Sequence, residues 1–167
     1  MRAGYIVLVL ILLAFIISPV TAANANRYSY ITVENVTIRL DNASAIIDLN
    51  YTVDENTHFI FFLLGTQDLE NKLLTILNLN SARVNHINLT TAELTVDPAS
   101  YSYGDGVFWY PTQTFNIVIP NLTVEAPREV RNFTMTNRFP DGMGYFSFVS
   151  SLPPPKNIPF GNEIPRP

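Results

Sequence analysis

The chain has 167 residues, no cysteine, and ten Lys+Arg against fourteen Asp+Glu, for a formal charge of −4. These values exclude a disulfide-stapled scaffold and a collagen-like chain, and they argue against a nucleic-acid partner. Apolar residues make up 47% of the chain, yet nineteen of them fall in the first 25 positions. What remains has the composition of an ordinary soluble domain rather than of a multi-span membrane protein.

Residues 1–25 have the pattern of a signal peptide. Arg2 supplies the positive start, Tyr5 to Ile17 is an unbroken apolar run, and Pro19 ends it before small residues. Ala23-Asn24-Ala25 fits a peptidase site that would leave Asn26 first, with Val20-Thr21-Ala22 as the competing site. Two alternatives place the same residues in a membrane: an anchor over residues 5–25, or a pilin-type cut after Gly4 that retains the apolar helix. The run is shorter than the about 20 residues that span a bilayer. All three readings put the rest of the chain outside the cytoplasm, so the absence of cysteine means that an exported domain must stand without staples.

From residue 26 to residue 150 the sequence predicts one β-rich domain. Ile31 and Val33 stand out of phase with Val36, Ile38 and Leu40, which implies a bulge near Glu34-Asn35. Asp41-Asn42-Ala43-Ser44 is turn chemistry leading into the alternating strand Ile47 to Val53, and the pair reads as a hairpin. His58 to Leu64 is continuously apolar and reads as a strand buried on both faces. The period then changes: Leu69, Leu73, Ile76 and Leu77 form one helical stripe, with Asp68 and Glu70 in the first turn, predicting a helix over residues 67–78. Strand signals return over Val84 to Val96, with a kink near Thr90-Thr91 and a stop at Asp97-Pro98. Next come Val107 to Tyr110, Phe115 to Ile119, a turn at Pro120-Asn121, Leu122 to Val124 and Arg131 to Phe139. Gly and Pro are expected between strands rather than within them. Residues 151–167 are a Pro-rich tail, with six prolines in the last fifteen positions, and such a segment favours an extended polyproline II form.

Six Asn-x-Ser/Thr sequons occur, at Asn35, Asn42, Asn50, Asn88, Asn121 and Asn132, where composition alone gives roughly two or three. At Asn50, Asn88, Asn121 and Asn132 the intervening residue is apolar, so in a strand it faces inward and the acceptor amide faces solvent. A Thr- and Asn-rich outer face generates the same pattern without any glycan.

No nucleophile elbow, zincin motif or phosphate-binding glycine loop is present. His58 and His86 are the only histidines, and Glu55-x-x-His58 falls at an expected turn, where the two side chains do not share a face. The loop carboxylates Asp54, Glu55, Asp97, Asp105 and Asp141 lack calcium-loop spacing. No catalytic residue, metal ligand or cofactor is therefore assigned. Phe108-Trp109-Tyr110 admits two readings: a core strand, or an aromatic surface that stacks on sugars or docks a partner. The second reading uses Tyr103, Trp109 and Tyr110, with Tyr110 as the ring reaching the surface and Tyr101-Ser102-Tyr103 extending the patch.

Phe61 to Glu70, which reads Phe-Phe-Leu-Leu-Gly-Thr-Gln-Asp-Leu-Glu, is followed by a short Leu-rich helix, then Val84 to Leu89 and Ala92-Glu93-Leu94-Thr95-Val96. This stretch resembles small exported β-rich surface proteins of methanogenic archaea. The resemblance implies a cell-surface setting in which Asn-linked glycans are expected, and it brings no catalytic residues. The sequence thus predicts an α+β domain of about seven mainly antiparallel strands, with an immunoglobulin-like sandwich as the nearest architecture and one covering helix. The expected function is a non-catalytic cell-surface or interaction protein, with a surface protein or a glycan as partner. A carbohydrate- or peptide-binding domain and a pilin-like filament subunit are the alternatives.

Overall fold

A computed structural model describes residues 25–147. The expected leader, apart from Ala25, and the Pro-rich tail lie outside these residues. The class is the expected one, α+β and mainly antiparallel, with two sheets in an open sandwich-like arrangement. The described residues form ten strands and two helices rather than about seven strands and one helix.

The N-terminal hairpin is the centre of the larger sheet. Strand β2 (Ile31–Asp41) comes after the short β1 (Arg27–Tyr28) and pairs antiparallel with β3 (Ser44–Val53). Asn42 turns the hairpin with a left-handed backbone, φ 50°. The ladder shifts register between Val33 and Asn35, so both apolar phases of β2 reach the same side through the expected bulge. Strands β4 (Arg83–Ile87) and β5 (Thr91–Val96) add beyond β3, while β8 (Gln113–Ala126) and β9 (Glu129–Phe139) add beyond β2. The strand order is β4-β5-β3-β2-β8-β9, and β2–β8 is its one parallel pair, joining Asn35–Arg39 to Asn121–Glu125.

Alternation then sorts the two faces. Val36, Ile38, Leu40, Ile47, Leu49, Leu94, Leu122 and Val124 are all buried on one side. The opposite side carries cross-strand rows of polar residues. One runs Thr91, Asn50, Asn35, Asn121, Thr134; the next runs Glu93, Asp48, Thr37, Thr123, Asn132. Arg39 bridges Asp48 at 2.8 Å on this face.

Two elements cover the apolar side. Helix α2 (Gln67–Leu77), after α1 (Glu55–Leu64), buries Leu69, Leu73, Ile76 and Leu77, the four residues of the predicted stripe. Its first turn is tied down where the Tyr30 hydroxyl donates to Asp68 at 2.6 Å and Lys72 donates to the same carboxylate at 3.0 Å. These bonds hold the Asp68 carboxyl below its ordinary pKa. The second cover is a three-stranded sheet of order β10-β7-β6, made of β6 (Tyr101–Ser102), β7 (Val107–Tyr110) and β10 (Met143–Phe146). Tyr110 packs on Phe139 of β9 with ring centroids 5.6 Å apart. The Tyr145 hydroxyl reaches the Asn42 carbonyl at 2.5 Å and Ser100 Oγ at 2.8 Å.

Four local expectations are corrected. Residues 58–64, expected as a buried strand, lie in α1. A continuous apolar run has no period to separate strand from helix, and β3 has already ended at Val53. Only Phe61 is buried among its described aromatic and aliphatic side chains, edge-on to Tyr30 at 5.3 Å, while Phe59 and Leu63 are 68% and 63% exposed. The kink near Thr90-Thr91 is a complete reversal: Asn88 Oδ1 accepts from the backbone N–H groups of Thr90 and Thr91, closing a β4–β5 hairpin. Pro120 makes no turn but lies within β8, one residue before pairing with β2 begins at Asn121, so its missing N–H falls where the strand gains its second partner. Gly144 likewise lies within β10, where its bare Cα faces the Trp109 ring.

These placements separate two leucines of similar sequence context. Leu73→Ala should destabilise the domain by about 2–5 kcal/mol, the cost of a core cavity, and Leu63→Ala by less than about 0.5 kcal/mol. Urea unfolding followed by circular dichroism measures both.

Candidate functional site

The small sheet has two faces of different character. Along β7, Phe108 and Tyr110 point inward to the larger sheet, and Val107 and Trp109 point outward. In β10, Met143 and Tyr145 are buried, and Gly144 and Phe146 face out. Register brings the outward residues together: Trp109 lies between Tyr101 of β6 and Gly144 of β10, and Val107 lies beside Phe146. The Tyr103 N–H donates to the Val107 carbonyl at 2.9 Å, which continues the hairpin and leaves Tyr103 on the same face. Tyr101, Tyr103, Trp109 and Phe146 are 64%, 72%, 39% and 60% exposed. Half of the large apolar side chains exposed among the described residues thus stand on one three-stranded face, which makes that face the candidate site.

Two glycines set the attitude of the tryptophan. A Cβ on Gly144 would sit 3.5 Å from the benzene edge of the indole, and a Cβ on Gly142 would sit 2.7 Å from its Cζ2 and from the Tyr110 carbonyl oxygen. Gly142 also has φ +63°, which side chains rarely tolerate. The indole therefore lies across the bare backbone of the Gly142–Gly144 segment. Arg131 fixes that segment from behind by donating to the Gly142 carbonyl at 3.0 Å.

Tyr101 is shared with a cleft of about 520 Å³ that opens between residues 78–81, which follow α2, and the loop joining β5 to β6. Asn78, Asn80, Ser81, Ser100 and Gln113 supply its polar groups, and no lining residue is charged. Ser100 is the one polar residue of the described core, 6% exposed, and its hydroxyl hydrogen-bonds the Tyr145 hydroxyl at 2.8 Å. Burial raises the pKa of both Tyr110 and Tyr145 above the ordinary phenol value, so these two side chains are held neutral.

Of the residues singled out in sequence, Tyr103 and Trp109 share this face. Tyr110, expected to be the ring that reaches the surface, is instead 5% exposed, because the phase of β7 turns it to Phe139. Phe146 was missed; the alternation of Met143, Gly144, Tyr145 and Phe146 is the signal that identifies it. The sequons divide by environment. Asn50, Asn121 and Asn132 are exposed on the polar face, Asn35 is half-buried between Asn50 and Asn121 in one row, and Asn42 is exposed at the hairpin turn. Asn88 does not present a free amide to solvent: its Nδ2 hydrogen-bonds His86 and Thr91 while its Oδ1 closes the turn.

Glu55 and His58 do share a helix, the first turn of α1, contrary to the expected turn, and the His58 ring is 3.2 Å from the Val53 carbonyl oxygen. Asp54 is paired with Arg27. Among the described residues no three His, Asp or Glu side chains gather as metal ligands, and no helix is long and apolar enough to cross a membrane. The chain matches no family model, no curated protein and no solved structure.

Gly142→Ala tests how the indole is held. It should destabilise the domain by about 1–3 kcal/mol through the positive φ and the clash with Trp109, and it should change the near-UV circular dichroism of the only tryptophan. An unchanged spectrum and melting curve would show that the indole does not rest on this segment.

Proposed function

We propose that the protein is an exported, non-catalytic surface interaction protein whose aromatic face binds an uncharged polysaccharide. The observation that carries this reading is the Trp109 indole, laid across Gly142–Gly144 with its other face to solvent and flanked by Tyr101. Flat, rigid rings with one open face suit the apolar face of a pyranose, and they lose little conformational entropy on binding. The adjoining cleft offers amide and hydroxyl groups for sugar hydroxyls, and its uncharged lining gives no counter-charge for an acidic sugar. A pilin-like assembly and a retained membrane anchor depend on residues 5–25, of which all but Ala25 lie outside the described structure.

Export rests on the leader as read in sequence. In that setting the exposed sequons Asn42, Asn50, Asn121 and Asn132 are the acceptors for Asn-linked glycans. Asn50, Asn121 and Asn132 lie on the polar face of the larger sheet, where modification leaves the aromatic face open, whereas Asn42 is at the hairpin turn that meets Tyr145 of the small sheet.

Affinity electrophoresis through gels containing neutral polysaccharides tests the reading. At least one such gel should retard the full chain, and Trp109→Ala should weaken binding at least tenfold, about 1.4 kcal/mol. Tyr101→Ala should weaken it several-fold, and Phe59→Ala, on the distant α1, should leave it unchanged. Equal mobility of the protein and Trp109→Ala in every gel would contradict the proposal.

A further inference from the structure

The chain leaves the described structure beside the aromatic face, and the C-terminal segment is chemically matched to that face. Phe146 is on it, and the Ser147 N–H donates to the Gly106 carbonyl at 2.9 Å, at the tip of the β6–β7 hairpin. Beyond Ser147 come Phe148, Val149 and Leu152, then Pro153-Pro154-Pro155, Ile158, Pro159 and Phe160, with Lys156 as the only charge before Glu163. Five residues separate Ser147 from Pro153, six residue steps with a reach of up to about 20 Å in extended chain. Trp109 lies about 5 Å sideways from β10 and about 7 Å along β7 from the strand pair at Val107. The prolines therefore reach the indole with length to spare.

We infer that the Pro-rich segment, residues 152–160, docks in its own chain on the aromatic face and covers Trp109 when no other ligand is bound. The chemistry is that of polyproline recognition, in which proline rings pack between exposed aromatic rings and the stiff segment loses little entropy on docking. A second copy's tail would meet the same surface only from solution. The chain's own tail is tethered beside the face: β10 runs antiparallel to β7 and passes Trp109 before it ends, so a tail that doubles back after Ser147 meets the face at a far higher effective concentration. The inference rests on the proposed binding role of the face and makes the tail its internal competitor.

The single tryptophan makes the test direct. In the full chain, Pro153→Ser, Pro154→Ser, Pro155→Ser, Ile158→Ser and Phe160→Ser are combined, and Trp109 emission and acrylamide quenching are compared with the unsubstituted protein. The substituted chain should show red-shifted emission and at least a twofold larger quenching constant, with unchanged far-UV circular dichroism. Identical emission and quenching in the two proteins would overturn the inference. So would protection that grows with protein concentration, which would assign the occupant to a second copy. Polysaccharide gels run on the same pair separate docking of the tail from binding of a glycan. Tail protection with no polysaccharide retention by either protein would remove the glycan reading alone, and tighter retention by the substituted chain supports both.

Discussion

One constraint organises the molecule: with no disulfide, every buried residue of consequence must be gathered against a single face of the larger sheet. That face is broad because the parallel β2–β8 ladder fuses the N-terminal and C-terminal hairpins into one surface. Helix α2 covers one part with four side chains, and the small sheet covers another with Tyr110, Met143 and Tyr145. Polar groups drawn into this core are satisfied there. The Tyr51 hydroxyl donates to the Asn88 carbonyl, and Tyr145 links the hairpin turn at Asn42 to Ser100. No buried polar side-chain atom is left without a partner among the described residues.

Once the inner faces are committed, the outer faces become informative. The larger sheet exposes Asn, Thr and charged residues in orderly rows, as a solvated antiparallel sheet should. The small sheet breaks that rule, because in three strands it turns Tyr101, Val107, Trp109 and Phe146 outward. Core packing does not require this, since the same strands already bury Phe108 and Tyr110 on the other side. Nor is the arrangement loose: Gly142 and Gly144 clear a bed for the indole, and Arg131 holds the bed in place. A surface that is apolar, rigid and backed in this way is suited to binding.

Much of the fold is legible from period. The stripe of Leu69, Leu73, Ile76 and Leu77 has no strand interpretation, and Asp41–Ser44 closes a hairpin whose two flanks alternate. The out-of-phase Ile31 and Val33 mark the bulge without any knowledge of pairing. Period fails where it is absent or carries two meanings. Residues 59–64 are apolar at every position, and Asn88-Leu89-Thr90 fits a strand, a sequon and a turn, of which the turn forms because Asn88 can cap it. For the site, Phe108-Trp109-Tyr110 announces an aromatic face. Its phase depends on Phe139, about thirty residues on, so the sequence alone puts Tyr110 on the wrong side. The role of Gly144 is hidden for the same reason, since its neighbour Trp109 is set by strand register and not by sequence proximity.

The outward aromatic floor exists only if the indole of Trp109 rests on the backbone of Gly142–Gly144. The most direct measurement is the proton NMR spectrum of the two glycines, because a ring held over an α-proton shields it. The Gly142 and Gly144 α-protons should resonate well upfield of the unstructured range and return toward it in Trp109→Ala. α-Protons at ordinary positions, unmoved by that substitution, would contradict this arrangement.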